Sequence, residues 1–421
     1  MVKDTFLLTS TFCNHIFKNN YKMSKIPVVN EAFIVWWNRV NLRIVGAWPE
    51  PNDKYERLSK FLSILTGINM IFFNIIPQTA FLFEIWPNFE LINESLTLAN
   101  FPIIMVFIKL IVICNRRKDL ENLIASIYED WNRAKNEFEW RLMRNDAHIA
   151  KIITLYCFTV TMSATALQLL GQLIINCRRQ KENRELFYLA YFPYDVLKSP
   201  AYELTCFFQC CGVCFSSCLY SGLISFCAML ILHVHSQFSI LEHNLESLIN
   251  SNNFHSPNDF LLKLKIIVIE HEHLNRFASV IEDIFNQVLL VEMIMYSLQL
   301  SMQFYHVMII NQTRSITPYE IFFWLAYVFT ILANLYVICY LGEKMKIAAL
   351  KLQFSVYRSK WYNLSTLEAK NLIMLFLRTE IPLQITAGKF WVFSYETFAM
   401  IIKKSVAFLS VLLTMQQKIG A

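Results

Sequence analysis

The chain has 421 residues, of which 55% are hydrophobic and only 17% charged, an apolar share above that of a soluble domain. Its net charge of +6 is spread over polar segments and not gathered into a stripe, which argues against nucleic acid as a partner. Eight glycines leave little room for phosphate-cradling loops, and there is no Walker A run, GxGxxG or HExxH, so no enzyme activity, cofactor or metal is expected.

In chain order, residues 1–57 form a polar segment with eight Lys/Arg, interrupted by Pro27, Pro49 and Pro51, and no secretory signal is visible in its first 20 residues. Trp36–Ile44 reads as a surface helix, with Trp36 and Trp37 as interfacial anchors and Arg39 and Arg43 toward headgroups. Spans are predicted at Leu58–Phe83, Leu91–Cys114, Ile149–Ile175, Leu204–Leu232, Ile284–Ile310 and Glu320–Leu341, with a broken seventh in Leu372–Met415. Leu204–Leu232 has 29 residues without a charge and Ile321–Leu341 has 21, each enough to cross a bilayer. Pro77 and Pro102 are expected to bend the first two spans, because each removes a backbone donor. Lys109, near the inner end of the second span, is expected to snorkel to the interface. Six of the eleven cysteines (Cys206, Cys210, Cys211, Cys214, Cys218, Cys227) fall in the fourth span and read as small packing residues. From Asp259 to Ile310 nothing breaks a helix of about 50 residues, roughly 80 Å long and so reaching well beyond the bilayer. His233, His235 and His243, and the pair His271 and His273, read as a solvated cytoplasmic face, since residues two apart on a helix point away from each other.

Lys and Arg set the orientation. With the amino terminus inside, residues 1–57, 115–151, 233–283 and 342–380 place 26 of them inside; residues 77–101, 176–200, 311–319 and 416–421 leave 7 outside. The basic run Cys177–Arg184 is the one dissenting loop. Of the sequons, those at Asn93 and Asn311 fall outside and are glycosylation candidates, whereas Asn363 falls inside. The expected fold is therefore an all-α membrane protein of seven helices with inverted topology. Its parts are a cytoplasmic segment (1–57), helices one to four (58–232), an intracellular helical region (233–283), helices five and six (284–341), an intracellular anchor (342–390), the second half of helix seven (391–415) and a short outer tail (416–421). On a 3.6-residue period Met400, Lys404, Phe408, Val411 and Met415 share one stripe of that last helix.

Three motifs, in order, resemble the insect odorant receptors: WWNRVNLRIVGAWP (Trp36–Pro49), CYLGEKM…YRSKWYNL (Cys339–Leu364) and RTEIPLQIT followed by AGKFWVFSYETFAMIIKKSVAFLSVLLTM (Arg378–Met415). The resemblance implies four subunits around one cation pore, an odorant-binding subunit partnered with a shared co-receptor, and a last helix lining the path. It places a hydrophobic gate on Val411, with Met415 one turn outward and Phe408 one turn inward; Lys404, on the same stripe, is an awkward charge for a cation path. It further implies a small pocket in the outer half of the bundle, among the second, third, fourth and sixth spans. Candidate lining residues there are Phe323, Trp324 and Tyr327 of the sixth span; Phe207, Phe208, Cys211 and Phe215 of the fourth; and Ser163, Leu167 and Gly171 of the third. Ser163, Gln168 or Tyr327 would supply a hydrogen bond to a volatile or semi-volatile organic ligand otherwise held by apolar burial. Membrane lipid is the remaining partner, and the plasma membrane of olfactory neuron dendrites the expected location. A G-protein-coupled receptor also has seven helices, but the charge count opposes its outside amino terminus and no Asp/Glu-Arg-Tyr triplet closes the third span. A gustatory-type relative would share the broken last helix; the motif Trp36–Pro49 favours the odorant branch.

Overall fold

The computed structural model describes residues 31–49, 53–134, 136–178, 185–250, 257–313, 318–380 and 383–419. It divides into a unit of residues 1–34 and one of residues 35–421, and apart from the first turn of α1 the described helices belong to the second. They are α1 (Glu31–Ile44), α2 (Asp53–Met70), α3 (Ile76–Glu84), α4 (Phe89–Ser95), α5 (Phe101–Asn115), α6 (Arg117–Arg133), α7 (Glu137–Arg178), α8 (Ala201–Asn250), α9 (Pro257–Thr313), α10 (Pro318–Arg358), α11 (Thr366–Thr379) and α12 (Tyr395–Ile419). Among the described residues four helices are long and apolar enough to cross a membrane, over Tyr55–Glu84, Glu137–Cys177, Ala201–Asn250 and Glu320–Asn363, and Phe101–Asn115 is a shorter apolar helix.

α8 is the central post. Its apolar stretch is 89% buried inside the protein, against 22–33% in the other three long helices, whose apolar sides face outward. It packs along α7, α9 and α10. Several of its hydroxyls are satisfied within the helix: Ser216, Ser217 and Ser221 each donate to the carbonyl four residues back, at 2.7–2.9 Å. A helix so rich in Ser, Cys and Gly lets its neighbours approach closely.

Pro77 and Pro102 each follow a wide turn of π-helix, Ile71–Ile75 and Leu96–Asn100. In each, the residue before the proline donates five residues back, Ile76 to Ile71 O and Phe101 to Leu96 O. The prolines have no N–H to continue the ladder, so the backbone widens and goes on as helix.

The amino-terminal motif is a wedge held by one turn. α1 buries Val35, Asn38 and Leu42 and exposes Trp36 and Trp37. Asn38 Oδ1 accepts from Ser225 of α8 at 2.6 Å, and Trp48 sets its ring edge-on to Phe226 at 5.6 Å. Gly46 turns the chain with φ +70°, and a Cβ there would lie 2.3 Å from Ser59 O. Arg117 closes the turn from α6, donating to Gly46 O and to Ser59 Oγ, both at 2.8 Å.

Two expectations are corrected here. The histidines are not one solvated face: His233 and His271 are buried, His235 and His273 are half-buried, and only His243 of the five is exposed. His233 meets Asp130 of α6 at 3.0 Å, and His235 meets Asp146 of α7 at 2.7 Å, so they tie α8 to its neighbours. Burial also lowers the pKa of His271 and His273. Nor is Asn93 a free sequon. It is 1% exposed and its amide donates to Met302 O of α9 at 3.3 Å, which leaves no room for a glycan. The Asn311 side chain lies outside the described residues.

The last apolar segment is broken. Between α11 and α12 a hairpin pairs β1 (Thr386–Ala387) with β2 (Trp391–Val392), Thr386 opposite Val392. Its turn places Gly388 and Lys389 at φ 60° and 65°, and Phe390 N–H reaches back to Ala387 O at 3.1 Å. α9 seats it: Thr386 N–H and hydroxyl both donate to Glu282, the former at 2.9 Å, and Gly388 N–H donates to Asn286 O at 2.9 Å.

Gly46→Ala combines an unfavourable φ with a backbone clash and is expected to destabilise by about 1–3 kcal/mol. Arg117→Met, which removes both guanidinium bonds to the turn, is expected to cost about as much. Fluorescence-detected size-exclusion chromatography and a thermal-melt midpoint in detergent check both variants against wild type.

Candidate ligand-binding site

A cavity of about 120 Å³ lies between α5, α7, α8 and α10, closed by one residue each from α9 and from the segment before α8. That is of the order of the ~150 Å³ apolar cavity known to hold benzene, so it is a single-ring space. Its floor and walls mix apolar groups (Ile103, Val106, Val213, Ile331) with hydroxyls (Thr161, Ser216, Thr330) and the rings of Phe323 and Tyr327.

The segment before α8 forms the cover. Gln209 of α8, fully buried, clamps the Tyr188 backbone with both ends of its amide: Oε1 accepts from Tyr188 N–H at 3.4 Å, and Nε2 donates to Tyr188 O at 3.3 Å. Leu186, Phe192 and Cys206 pack there with Phe73 and Tyr202.

Tyr327 is placed by the proline of α5. Phe101 N–H is taken by Leu96 O and Pro102 has no N–H, so Thr97 O loses its partner in the helix; the Tyr327 hydroxyl donates to it at 2.7 Å. The hydroxyl proton is therefore engaged, and toward a ligand Tyr327 offers its ring and an oxygen lone pair.

Tyr220 forms the deep end, and beyond it lies a buried charge pair. Its hydroxyl bonds Tyr296 at 2.7 Å, Tyr296 donates to Glu292 Oε1 at 3.2 Å, and Glu292 pairs with Lys109. Lys109 Nζ also sits 4.5 Å from the Tyr220 ring centroid. Lys109 is 2% exposed, so it does not snorkel to an interface; its partner on the fifth predicted span decides its position. α9 carries this network to the last helix: Ser301 Oγ donates to Ser405 O at 2.9 Å, and Ile401 and Ser405 are the buried side of α12. On the other side Phe408 and Val411 are exposed, Val411 by 53%. Lys404 Nζ lies over the Trp391 ring, 5.4 Å from its centroid. Met415 lies in α12, but its side chain is outside the described residues.

Of the anticipated lining residues, Phe323 and Tyr327 are on the cavity wall, as is Gln168. Trp324 turns toward α9, its indole N–H donating to Gln303 O at 3.1 Å. Phe207 is exposed; Phe208 stacks on Phe73 at 4.5 Å; Cys211 and Phe215 are half-buried off the cavity. On α7, Ser163 is exposed and returns its hydroxyl to Val160 O, while Leu167 and Gly171 also lie off the lining. The wall is made instead by Thr161, Ala164 and Thr165 of α7 and Val213, Ser216, Ser217 and Tyr220 of α8. Aromatic content was a poor guide to the facing side of α8, whose cavity face is mostly small residues. Among the described residues no group of His, Cys, Asp or Glu is placed to hold a metal.

The family model described as 7tm Odorant receptor matches residues 88–406, most of the chain. The chain belongs to the odorant receptor family, a family of membrane chemoreceptors and not of enzymes. It is similar to Odorant receptor 13a of Drosophila melanogaster, 24% identical over 93% of this chain and 96% of that protein. It is also similar to Odorant receptor 10 of Aedes albopictus, 21% identical over 68% of this chain and 76% of that one. In fold it resembles the insect olfactory receptor OR5 from Machilis hrabei in complex with eugenol, with a TM-score of 0.77 and 15% identity over 92% of this chain and 100% of that chain.

Glu292→Leu leaves Lys109 buried without its carboxylate and is expected to destabilise by about 3–5 kcal/mol, whereas Lys109→Met combined with Glu292→Leu restores most of it. Thermal melts of the two variants in detergent distinguish pairing from mere packing.

Proposed function

We propose that this chain is the ligand-binding subunit of an odorant-gated, non-selective cation channel, assembled as a heterotetramer with the odorant receptor co-receptor. In this reading it crosses the plasma membrane seven times, amino terminus inside and carboxyl terminus outside, in the dendrites of olfactory sensory neurons. The excess of Lys and Arg in the segments so placed inside supports that orientation.

A small volatile or semi-volatile organic molecule binds in the cavity bounded by Phe323, Tyr327 and Tyr220. The observation that carries the reading is the continuity from that cavity to the last helix. Tyr220 is at once a cavity wall and a member of the Tyr296–Glu292–Lys109 network, and the helix bearing Tyr296 also holds Ser405 of α12. A ligand that shifts Tyr220 therefore acts on α9, and α9 on α12. The exposed stripe of Phe408 and Val411, continued by Met415, faces the pore in the assembled channel and gates it by dewetting. Lys404, held over Trp391, is then anchored to its own subunit's hairpin. The cavity is of single-ring scale, and the similar OR5 receptor was solved with eugenol, a molecule of that kind.

Cells expressing this chain with the co-receptor are expected to show odorant-evoked cation current that persists in excised patches, and cells expressing it alone to show none. Val411→Ser is expected to raise ligand-free current several-fold, roughly, by wetting the constriction. A response without the co-receptor that vanishes on excision would overturn the channel reading in favour of a G-protein-coupled one.

A further inference from the structure

Two buried polar residues of the cavity wall have no hydrogen-bond partner in the protein among the described residues, Thr161 of α7 at its hydroxyl and Gln299 of α9 at its amide. Gln299 of α9 is 2% exposed and lines the cavity. A primary amide carries two donors and an acceptor, and burying them unpaired is costly. No hydrogen bond engages the Gln299 amide among the described residues. Apart from Thr161, most of the hydroxyls around it are otherwise occupied. Tyr220 bonds Tyr296, Tyr327 donates to Thr97 O, Thr165 pairs with Ser217 at 2.6 Å and Thr330 donates to Ala326 O at 2.8 Å. Gln168, on the wall from α7, is only half-buried. Gln299 is thus the deeply buried amide of this cavity, and it offers two donors and an acceptor where Thr161 offers a single hydroxyl.

Its place on α9 has a consequence. Glu292, Tyr296, Gln299 and Gln303 recur at spacings of four, three and four, so they share one helix face, and all four are buried. The first two of these are engaged with Lys109 and Tyr220. The third faces the cavity.

We propose that Gln299 is the polar specificity determinant of this cavity, selecting a compact, single-ring ligand that bears one hydroxyl or carbonyl oxygen over a hydrocarbon of the same shape. The amide N–H donates to the ligand oxygen, and a ligand hydroxyl can return its proton to the amide carbonyl. The inference rests on the cavity being the odorant site. A hydrocarbon that fills the same space leaves the amide buried and unpaired, so discrimination is set by the unmade bond.

The test uses shape-matched pairs, benzyl alcohol against ethylbenzene and acetophenone against isopropylbenzene. They are applied to cells expressing the full chain with the co-receptor, at equal surface level measured by biotinylation. Wild type is expected to prefer the oxygenated member of a pair by about tenfold or more in half-maximal concentration. Gln299→Leu is expected to bring that ratio to within about threefold, chiefly by weakening the oxygenated member. Gln299→Met, which keeps length and volume, serves in its place if the leucine variant does not reach the surface. An unchanged ratio in either variant, no preference in wild type, or no response to either oxygenated compound overturns the proposal. Ala326→Trp, which fills the cavity from α10, separates the two readings. If it abolishes responses while Gln299→Leu leaves the ratio intact, the site stands and the anchor falls; if it leaves responses unchanged, the site itself falls.

Discussion

A lysine and a glutamate meet in the middle of this bundle where neither reaches water, and much of the architecture can be traced to making that tolerable. Lys109 and Glu292 come from helices distant in sequence, and either one alone in this setting carries a heavy desolvation cost. The pair is completed by Tyr296 on the carboxylate and the Tyr220 ring beneath the ammonium. Together these contacts fix the relative position of α5, α8 and α9. The cavity lies on one side of that junction, and α9 leads from it to the last helix.

The same rule, that buried backbone and side-chain polar groups find partners inside the protein, explains the local irregularities. Two prolines open two π turns; the carbonyl released by Pro102 is taken by Tyr327, which thereby becomes a cavity wall. The hairpin between α11 and α12 interrupts an apolar segment, and its exposed backbone donors are taken up by Glu282 and Asn286 of α9. α9 therefore supports the charge pair, the hairpin and the last helix at once. That shared support is a physical route by which a change near Tyr220 reaches Ser405, without requiring any helix to unfold.

The motif Trp36–Pro49 acquires a structural role of the same kind. Its buried Asn38 and Trp48 fit against α8, and Arg117 reaches back to hold the Gly46 turn. The His233–Asp130 and His235–Asp146 contacts continue this tying of α8 to the helices around it. α8 is thus buttressed along its length, in keeping with its burial, whereas α7 and α10 keep one apolar side outward.

What the sequence determined by itself was whatever depends on length, periodicity and local backbone chemistry. The long helix after Pro257, the apolar helices, the break in the last apolar segment and the family could all be read from uncharged runs, prolines and motifs. Rotational phase could not. In a helix apolar on every side, hydropathy does not tell the lipid face from the cavity face, so the sequence points to Ser163 and Leu167 where Thr161 and Thr165 line the wall. Aromatic Phe207 points outward while Ser216 and Ser217 face in. Pairing was equally hidden: nothing near Lys109 in the chain announces Glu292, nor does anything near Asn93 announce that Met302 covers it. Gln299 belongs to the same class, for its meaning as an unanswered amide exists only once four other helices have packed around it. Composition places a residue in the bundle, but which neighbour meets it is a matter of long-range packing, and only the tertiary structure decides that.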